Sequence, residues 1–377
     1  MCTALYLGLP LAIVALLYSL LIIAHIISWI RLPITKSGAT QPHTKVSIII
    51  PARNEEKNIA ACINSVLAQD YPTELIELAI CNDQSTDKTK ETALSALEKT
   101  TIKHQFIDIT ASLSNKKKAI EAGISATSGE LIIITDADCT AQPSWISSIV
   151  TEYERTGANM LCGPVVITQE NSLCTGFQAL ELCGLSLLSG AGINAGFPLL
   201  CNGANLAYTR SAYNAVEGFK GIDDLPTGDD ILMLFKINKQ FPGSIRYLKS
   251  EDAMVYTKAQ ATWKDFFQQR IRWASKGLRS KNRLNSSVSL LVFLSNFVVF
   301  IYLILAFIYP ISIPILLSYV ALKSLIDFLL LTFGSVFFRK RVLLLSFPVA
   351  EMITILYTGL VGLIAPYWHY QWKGRNY

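Results

Sequence analysis

The chain has 377 residues, enough for one large domain or two medium ones. Hydrophobic residues make up 51% and charged residues only 16%, well below the roughly one quarter of soluble domains; this excludes a wholly soluble protein and places part of the chain in lipid. The net charge of +5 implies no nucleic-acid partner, and the eight cysteines, from Cys2 to Cys201, show no CxxC pair or zinc spacing and read as free thiols in a reducing compartment.

From about Leu5 to Ile30 the chain has no Lys, Arg, Asp or Glu, and the stretch is long enough to cross a bilayer core of about 30 Å. It lacks the basic start and short apolar core of a cleaved signal peptide, so residues 1–30 are expected to be an uncleaved anchor. VSIIIP (Val46–Pro51) is a continuous β-branched run stopped by proline, the pattern of a buried strand. In ARNEEKNIAACINSVLAQ, apolar residues recur at helical spacing at Ile59, Ile63, Val66 and Leu67. LIELAICND is the next strand, ending on Asp83, and STDKTKETALSALEK the next helix. IKHQFIDI, KKKAIEAGISATS and LIIITDAD continue as strand, helix and strand. This alternation predicts a doubly wound, mostly parallel α/β sheet with its ligand site at the carboxyl ends of the strands. No GxGxxG follows the first strand and no GxxxxGK[ST] occurs, which takes away the best support for dinucleotide and P-loop readings.

Asp136 and Asp138 stand where the fourth predicted strand gives way to a loop. Two carboxylates at that spacing need a countercharge, and one Mg²⁺ or Mn²⁺ shared with substrate phosphates supplies it. Solvated or capping acids are the other reading of the same triplet. The segment SLCTGFQALELCGLSLLSGAGINAGFPLL is apolar but carries several glycines and Glu181, and is expected to be an interfacial helix followed by a loop. GIDDLPTGDDILMLFKI contains Asp223, Asp224, Asp229 and Asp230; the last two precede an apolar helix whose N-terminus favours negative charge. Residues 261–284 read as a basic amphipathic helix with Trp263, Phe266 and Phe267 at the headgroups, on which Gln269 and Trp273 share a face.

Three further spans are expected within 285–366, over Ser287–Tyr309, Ile311–Val336 and Val342–Ile364, with 367–377 as a tail. Arg31, Lys36 and Lys45 follow the anchor; Lys276, Arg279, Lys281 and Arg283 precede the second span; Arg339, Lys340 and Arg341 separate the third from the fourth. Under the positive-inside rule all three clusters face the cytoplasm, as does the domain over 45–260; Lys373 and Arg375 run mildly against this. The protein is thus expected in the cell membrane as a multi-pass protein. Lys323 and Asp327 share one helix face in the third span, with Glu351 in the fourth. They read as a mutually neutralised group, or as part of a transport or acceptor path.

VSIIIPARNEE, CNDQSTDKT, KKKAIEAGI, DAD, GDD and QRIRW, in this order, resemble the motifs of family 2 glycosyltransferases. The likeness is greatest to the membrane-integrated branch of cellulose, hyaluronan and poly-N-acetylglucosamine synthases, with ceramide glucosyltransferases as relatives. It covers about residues 45–280 and implies a GT-A type fold and inverting, metal-dependent transfer from a UDP-sugar. By the resemblance, Pro51, Ala52, Arg53 and Glu55 hold the nucleotide and Asp83 meets the uracil. Lys116 and Gly123 match KxxxxxxG; Lys117 and Lys118 leave the phosphate contact open by one position. Asp136 and Asp138 match the nucleotide- and metal-contacting pair. Gly228-Asp229-Asp230 falls on a motif that is usually Thr-Glu-Asp or Glu-Asp, with Asp230 as general base and Asp229 a shortened acid. Gln269, Arg272 and Trp273 match QxxRW, whose arginine suits a diphosphate and whose tryptophan suits an acceptor sugar. Asn202, Gly203 and Asn205 fall where the acceptor site is lined.

The acceptor is less legible. Polymer synthases of this branch have more spans than the four expected here, which favours a single transfer to a lipid. QxxRW favours the alternative, a polysaccharide synthase working with an accessory membrane subunit. Two other classes stand beside these, a non-catalytic nucleotide-sugar-binding protein and a transporter using Lys323 and Asp327. Intact Asp136, Asp138 and Asp230 argue against the first, and the second predicts uptake independent of the DAD pair.

Overall fold

A computed structural model of the chain describes residues 2–35, 43–110, 115–223, 228–278, 282–365, 367, 371–372 and 375–376; Lys36, Asp224, Arg279, Lys281 and Lys373 lie outside them. In chain order come α1 (Cys2–Arg31), β1 (Val46–Ala52), α2 (Ile59–Leu67), β2 (Ile76–Asn82), α3 (Thr89–Leu97), β3 (Lys103–Asp108), α4 (Lys116–Ala126) and β4 (Leu131–Ile134). There follow β5 (Thr140–Ala141), α5 (Trp145–Thr156), β6 (Met160–Cys162), β7 (Val165–Ile167), α6 (Leu173–Asn194), β8 (Leu206–Thr209), α7 (Arg210–Ala215) and α8 (Ile231–Gln240). Then come β9 (Ile245–Tyr247), β10 (Val255–Thr257), α9 (Trp263–Leu278), α10 (Arg283–Ile308), α11 (Ser312–Phe337) and α12 (Phe347–Ile364). Two compact units result: residues 31–168 with 188–259, and residues 1–30, 169–187 and 260–377. Within the expected domain over 45–260, residues 169–187 cluster with the helical unit.

In the first unit a seven-stranded sheet runs β3-β2-β1-β4-β8-β6-β9. β1 pairs in parallel with β2 and β4, and β2 with β3. β8 is antiparallel to both β4 and β6, while β6 and β9 are parallel. This is the mostly parallel, GT-A-like α/β sheet expected from the alternation. Every position of β1, β2 and β4 is buried, which is why these strands read as unbroken apolar runs rather than alternating ones. Strand order reverses between β1 and β4, the switch point at which such sheets bind ligands. β5, β10 and β7 form a separate small sheet. No disulfide occurs among the described cysteines.

α4 rides close on β1 and β2 because of Gly123. A Cβ there would lie 2.7 Å from Ile49 Cγ2 and 2.8 Å from Cys81 Sγ. Gly123→Ala is expected to destabilise the protein by about 1–3 kcal/mol through overpacking, read as a lower melting temperature in detergent. At the other end of the sheet the buried Glu77 carboxylate accepts from Ser128 N at 2.6 Å, Lys103 Nζ at 2.7 Å and Lys45 Nζ at 3.1 Å. Burial alone would raise its pKa; the two ammoniums and Ser128 win and bring it down to about 2. A depressed carboxyl contributes stability above its ordinary range near 4.5, and loses it as pH falls through about 2. Glu77→Gln is thus expected to remove up to about 3 kcal/mol at pH 7, with the difference from wild type vanishing in unfolding measurements at the acid end of that window.

The second unit is helical. Leu11 of α1, Val299 and Tyr302 of α10, Leu316 and Tyr319 of α11 and Ile355 of α12 form one apolar cluster. Phe177 and Leu180 of α6 meet Phe266 of α9 and Ala350 of α12 in another. Lys323 donates to Asp327 and to Glu351, each at 2.7 Å, and Tyr18 donates to Asp327 at 2.6 Å. An ammonium and two carboxylates are thus buried together among α1, α11 and α12. Lys340, from one of the basic clusters, pairs with Glu170. Among the described residues, five helical segments are long and apolar enough to cross a membrane: Tyr6–Arg31, Leu173–Asn194, Arg283–Ile308, Ser312–Phe337 and Arg341–Ile364. The second of these was expected as an interfacial helix; it is a continuous 22-residue helix with 83% of its apolar window buried, against 17–33% for the other four. Apolar residues all round a helix suit a position enclosed by protein as well as one in lipid.

Candidate active site

The carboxyl end of β4 is where the acids gather. Thr135 N donates to Ile49 O at 3.3 Å, and Cys139 N closes a tight turn on Asp136 O at 3.0 Å. The turn buries Ala137 and leaves Asp136 half-buried and Asp138 exposed. The Cys62 thiol donates to Asp136 O at 3.5 Å and the Cys139 thiol to Asp138 Oδ1 at 3.4 Å. Burial, with Asp138 and Asp136 adding to it, pushes both thiols above their ordinary range. They stay protonated, so the donors the tip offers are carboxylate oxygens.

Asn115 caps α4 by accepting from Lys118 N at 3.1 Å, which sets the directions of three consecutive lysines. Lys117 is buried and donates to Ile222 O at 2.5 Å, and Lys118 pairs with Glu121 at 2.9 Å. Lys116 is the one that faces the acids: its ammonium lies 2.6 Å from Asp136 Oδ1 and 3.0 Å from Asp229 Oδ2. Burial works against its charge, but Asp136 and Asp229, with Asp230 beyond them, hold it above the ordinary lysine range. Asp229 is buried, and Asp230 is the N-cap of α8, accepting from Ile231 N at 2.8 Å. The capping role is therefore real, and it points the Asp230 carboxylate from a fixed base.

Asn202 accepts from Ala204 N at 3.1 Å, and its carbonyl accepts from Asn205 N at 3.1 Å. The resulting turn presents Gly203, where a Cβ would lie 3.2 Å from Lys116 Nζ and 3.4 Å from Asp229 Oδ2. Gly203 thus lies against the acid cluster. Asn205, expected beside it in the acceptor site, is instead buried framework: its amide accepts from Trp145 Nε1 and donates to Pro164 O and Ala253 O.

On the other side of the switch point, Pro51 and Ala52 lie in register with Cys81 and Asn82. Asp83 N donates to Ala52 O at 2.8 Å, and Arg53 Nη1 donates to Asp83 O at 2.6 Å and Gln84 O at 3.0 Å. Asn54 and Gln84 take left-handed φ values of 52° and 55°, which non-glycine residues adopt at a cost and which cluster at ligand sites. Glu55 is buried; its N–H donates to Thr89 Oγ1 and its carboxylate accepts from Asn58 Nδ2 at 2.8 Å.

Gln269, Arg272 and Trp273 lie half-buried on α9 in the helical unit. Between them is a residue the sequence did not single out. Arg270 is buried, with Nε 3.0 Å from Glu181 Oε2, Nη1 2.5 Å from Gln269 Oε1 and its guanidinium 4.1 Å from the Trp273 ring centroid. Tyr357 donates to the same glutamate. The signal was Glu181 itself, since an acid in an apolar helix demands a cationic partner.

Asp136 and Asp138 fit a hard divalent cation. They provide two carboxylates; no group of three or more His, Cys, Asp or Glu placed to hold a metal ion by themselves occurs among the described residues. Mg²⁺-type sites take one or two carboxylates and complete their shell with water and substrate phosphate oxygens.

The chain thus combines a mostly parallel GT-A-like sheet, with acids at its switch point, and apolar helices long enough to cross a membrane. Residues 131–365 match the Glycosyl transferase family group 2 and residues 47–177 the Glycosyl transferase family 2; the first match covers more than half of the chain, which belongs to that family of glycosyltransferases. The chain is 27% identical over 240 residues to a probable glycosyltransferase, YdaM, of Bacillus subtilis, covering 61% of this chain and 54% of that one. It is 35% identical over 113 residues to a dolichyl N-acetyl-alpha-D-glucosaminyl phosphate 3-beta-D-2,3-diacetamido-2,3-dideoxy-beta-D-glucuronosyltransferase of Methanococcus voltae, covering 29% of this chain and 34% of that one. The chain thus spans about half of the first relative and about a third of the second. A mannosyltransferase of Pyrobaculum calidifontis, solved with GDP-Man and Mn²⁺, shares the fold at a TM-score of 0.61 and 16% identity, over 96% of this chain and 97% of that one.

Proposed function

We propose that the protein transfers a sugar from a UDP-sugar to a membrane-associated lipid on the cytoplasmic side, with inversion and with Mg²⁺ or Mn²⁺ as cofactor. The observation that carries this is the convergence of Asp136, Asp229 and Asp230 around the Lys116 ammonium at the carboxyl end of the sheet. In this reading Pro51, Ala52, Arg53 and Glu55 hold the nucleoside, and the Asp83 carboxylate accepts the imide N–H of uracil. Asp230 takes the proton of the acceptor hydroxyl while that oxygen bonds to the anomeric carbon. The bond from this carbon to the diphosphate breaks on the opposite face, and UDP leaves with the electron pair. Lys116 holds diphosphate oxygens. Asp138 and Asp136 would hold the divalent ion, which when bound supplies positive charge beside the leaving diphosphate. Arg272 is assigned to the diphosphate, and Gln269, Trp273, Asn202 and Gly203 to the acceptor sugar.

The apolar helices support a lipid acceptor, as does the Methanococcus relative, whose name is that of an enzyme acting on a dolichyl phosphate sugar. The Gln269–Trp273 motif favours the second reading, a polysaccharide synthase with an accessory membrane subunit. Purified protein incubated with labelled UDP-sugars and membrane lipid distinguishes them by chromatography. One added sugar on a lipid is expected; a ladder would favour the synthase, and no labelled product from any UDP-sugar would overturn both.

A further inference from the structure

We propose that Lys116 is a placeholder cation, whose ammonium occupies Asp136 until a nucleoside diphosphate arrives, so that the divalent ion enters with the nucleotide rather than before it. The inference rests on the reading of the site given above. Lys116 Nζ touches Asp136 Oδ1 at 2.6 Å and Asp229 Oδ2 at 3.0 Å, and its side chain is 17% exposed. These carboxylates belong to different parts of the site. Asp136 is half of the pair assigned to the metal; Asp229 precedes the base. An ammonium already on Asp136 repels a divalent ion approaching the same carboxylate, an effect that the 34% exposure of the Asp136 side chain moderates but does not remove. Gly203 sits against both Lys116 Nζ and Asp229 Oδ2, 3.2 and 3.4 Å from where its Cβ would be, so no side chain stands between the ammonium and Asp229 on that side.

The neighbouring lysines do not share the task, since Lys117 is engaged with Ile222 O and Lys118 with Glu121. A diphosphate changes the balance in two ways. It brings negative charge that offsets the second cation, and it offers Lys116 phosphate oxygens in place of Asp136. The ammonium then stays on Asp229 and the diphosphate, and Asp136 is released. Lys116 therefore couples nucleotide and metal binding in addition to contacting phosphate.

The test is Mn²⁺ binding to the full-length protein in detergent, followed by the electron paramagnetic resonance signal of the free ion, with and without UDP. Wild type is expected to bind Mn²⁺ alone weakly and roughly tenfold or more tightly with UDP. Lys116→Met is expected to bind Mn²⁺ without UDP roughly tenfold more tightly than wild type, and to show a smaller enhancement by UDP. Lys116→Gln serves the same comparison should the methionine variant fold poorly, and Asp138→Asn, expected to lose the ion, verifies that the ion counted is at this site. Equal Mn²⁺ affinity of wild type with and without UDP would overturn the inference, as would equal affinity of wild type and variant without UDP. No Mn²⁺ bound even with UDP would overturn the metal reading and this inference together.

Discussion

Asp230→Asn is expected to lower kcat by about 10²–10⁴-fold, the usual range for loss of a positioned general base, while UDP binding is retained. The substitution isolates chemistry from folding. Asp230 caps α8 by accepting from Ile231 N at 2.8 Å, and asparagine caps about as well as aspartate, so the helix keeps its start. The variant loses the ability to take the acceptor's proton, together with one of the three charges that face the Lys116 ammonium. Turnover of a labelled UDP-sugar and calorimetric UDP binding, measured on the same preparation, separate the two effects. Unchanged turnover would remove Asp230 from its role; loss of both binding and turnover would mean the change had damaged the site.

The second large effect is expected at Asp138. It is exposed on the turn after β4, so Asp138→Asn is expected to leave thermal stability within about 0.5 kcal/mol. Transfer is nevertheless expected to fall by roughly 10²–10³-fold, because stabilisation of a departing diphosphate by a metal is worth several kcal/mol. EDTA is expected to do the same to wild type, with Mn²⁺ restoring wild type but not the variant. Full activity of the variant, or of wild type in EDTA, would contradict the assignment.

Much of the sheet was legible because β1, β2 and β4 are buried throughout and hence continuous apolar runs, and because each is followed by a polar tip. The antiparallel insertion of β8 between β4 and β6 was not, since it depends on pairings distant in sequence. Asp136 and Asp138 drew attention by their place at a strand's end, but their spacing alone left solvated or capping acids open, and the resemblance favoured the metal reading. Their link to Asp229 through Lys116 was not legible, because three consecutive lysines look alike until the Asn115 cap sets their directions. Asn205 illustrates the opposite difficulty: the resemblance placed it where the acceptor site is lined, but a buried amide with three partners belongs to the core. Arg270 was hidden inside a motif whose flanking residues drew attention, and its partner Glu181 was read only as an obstacle to spanning.

In the proposed reaction a divalent ion and a nucleoside diphosphate meet at the tip of β4. The direct measurement is a structure of the protein with UDP and Mn²⁺, using the anomalous signal of manganese to locate the ion. A peak against the Asp138 carboxylate and the UDP diphosphate is predicted, whereas manganese bound away from the Asp136–Asp138 turn, or UDP seated elsewhere than the ends of β1, β2 and β4, would contradict it.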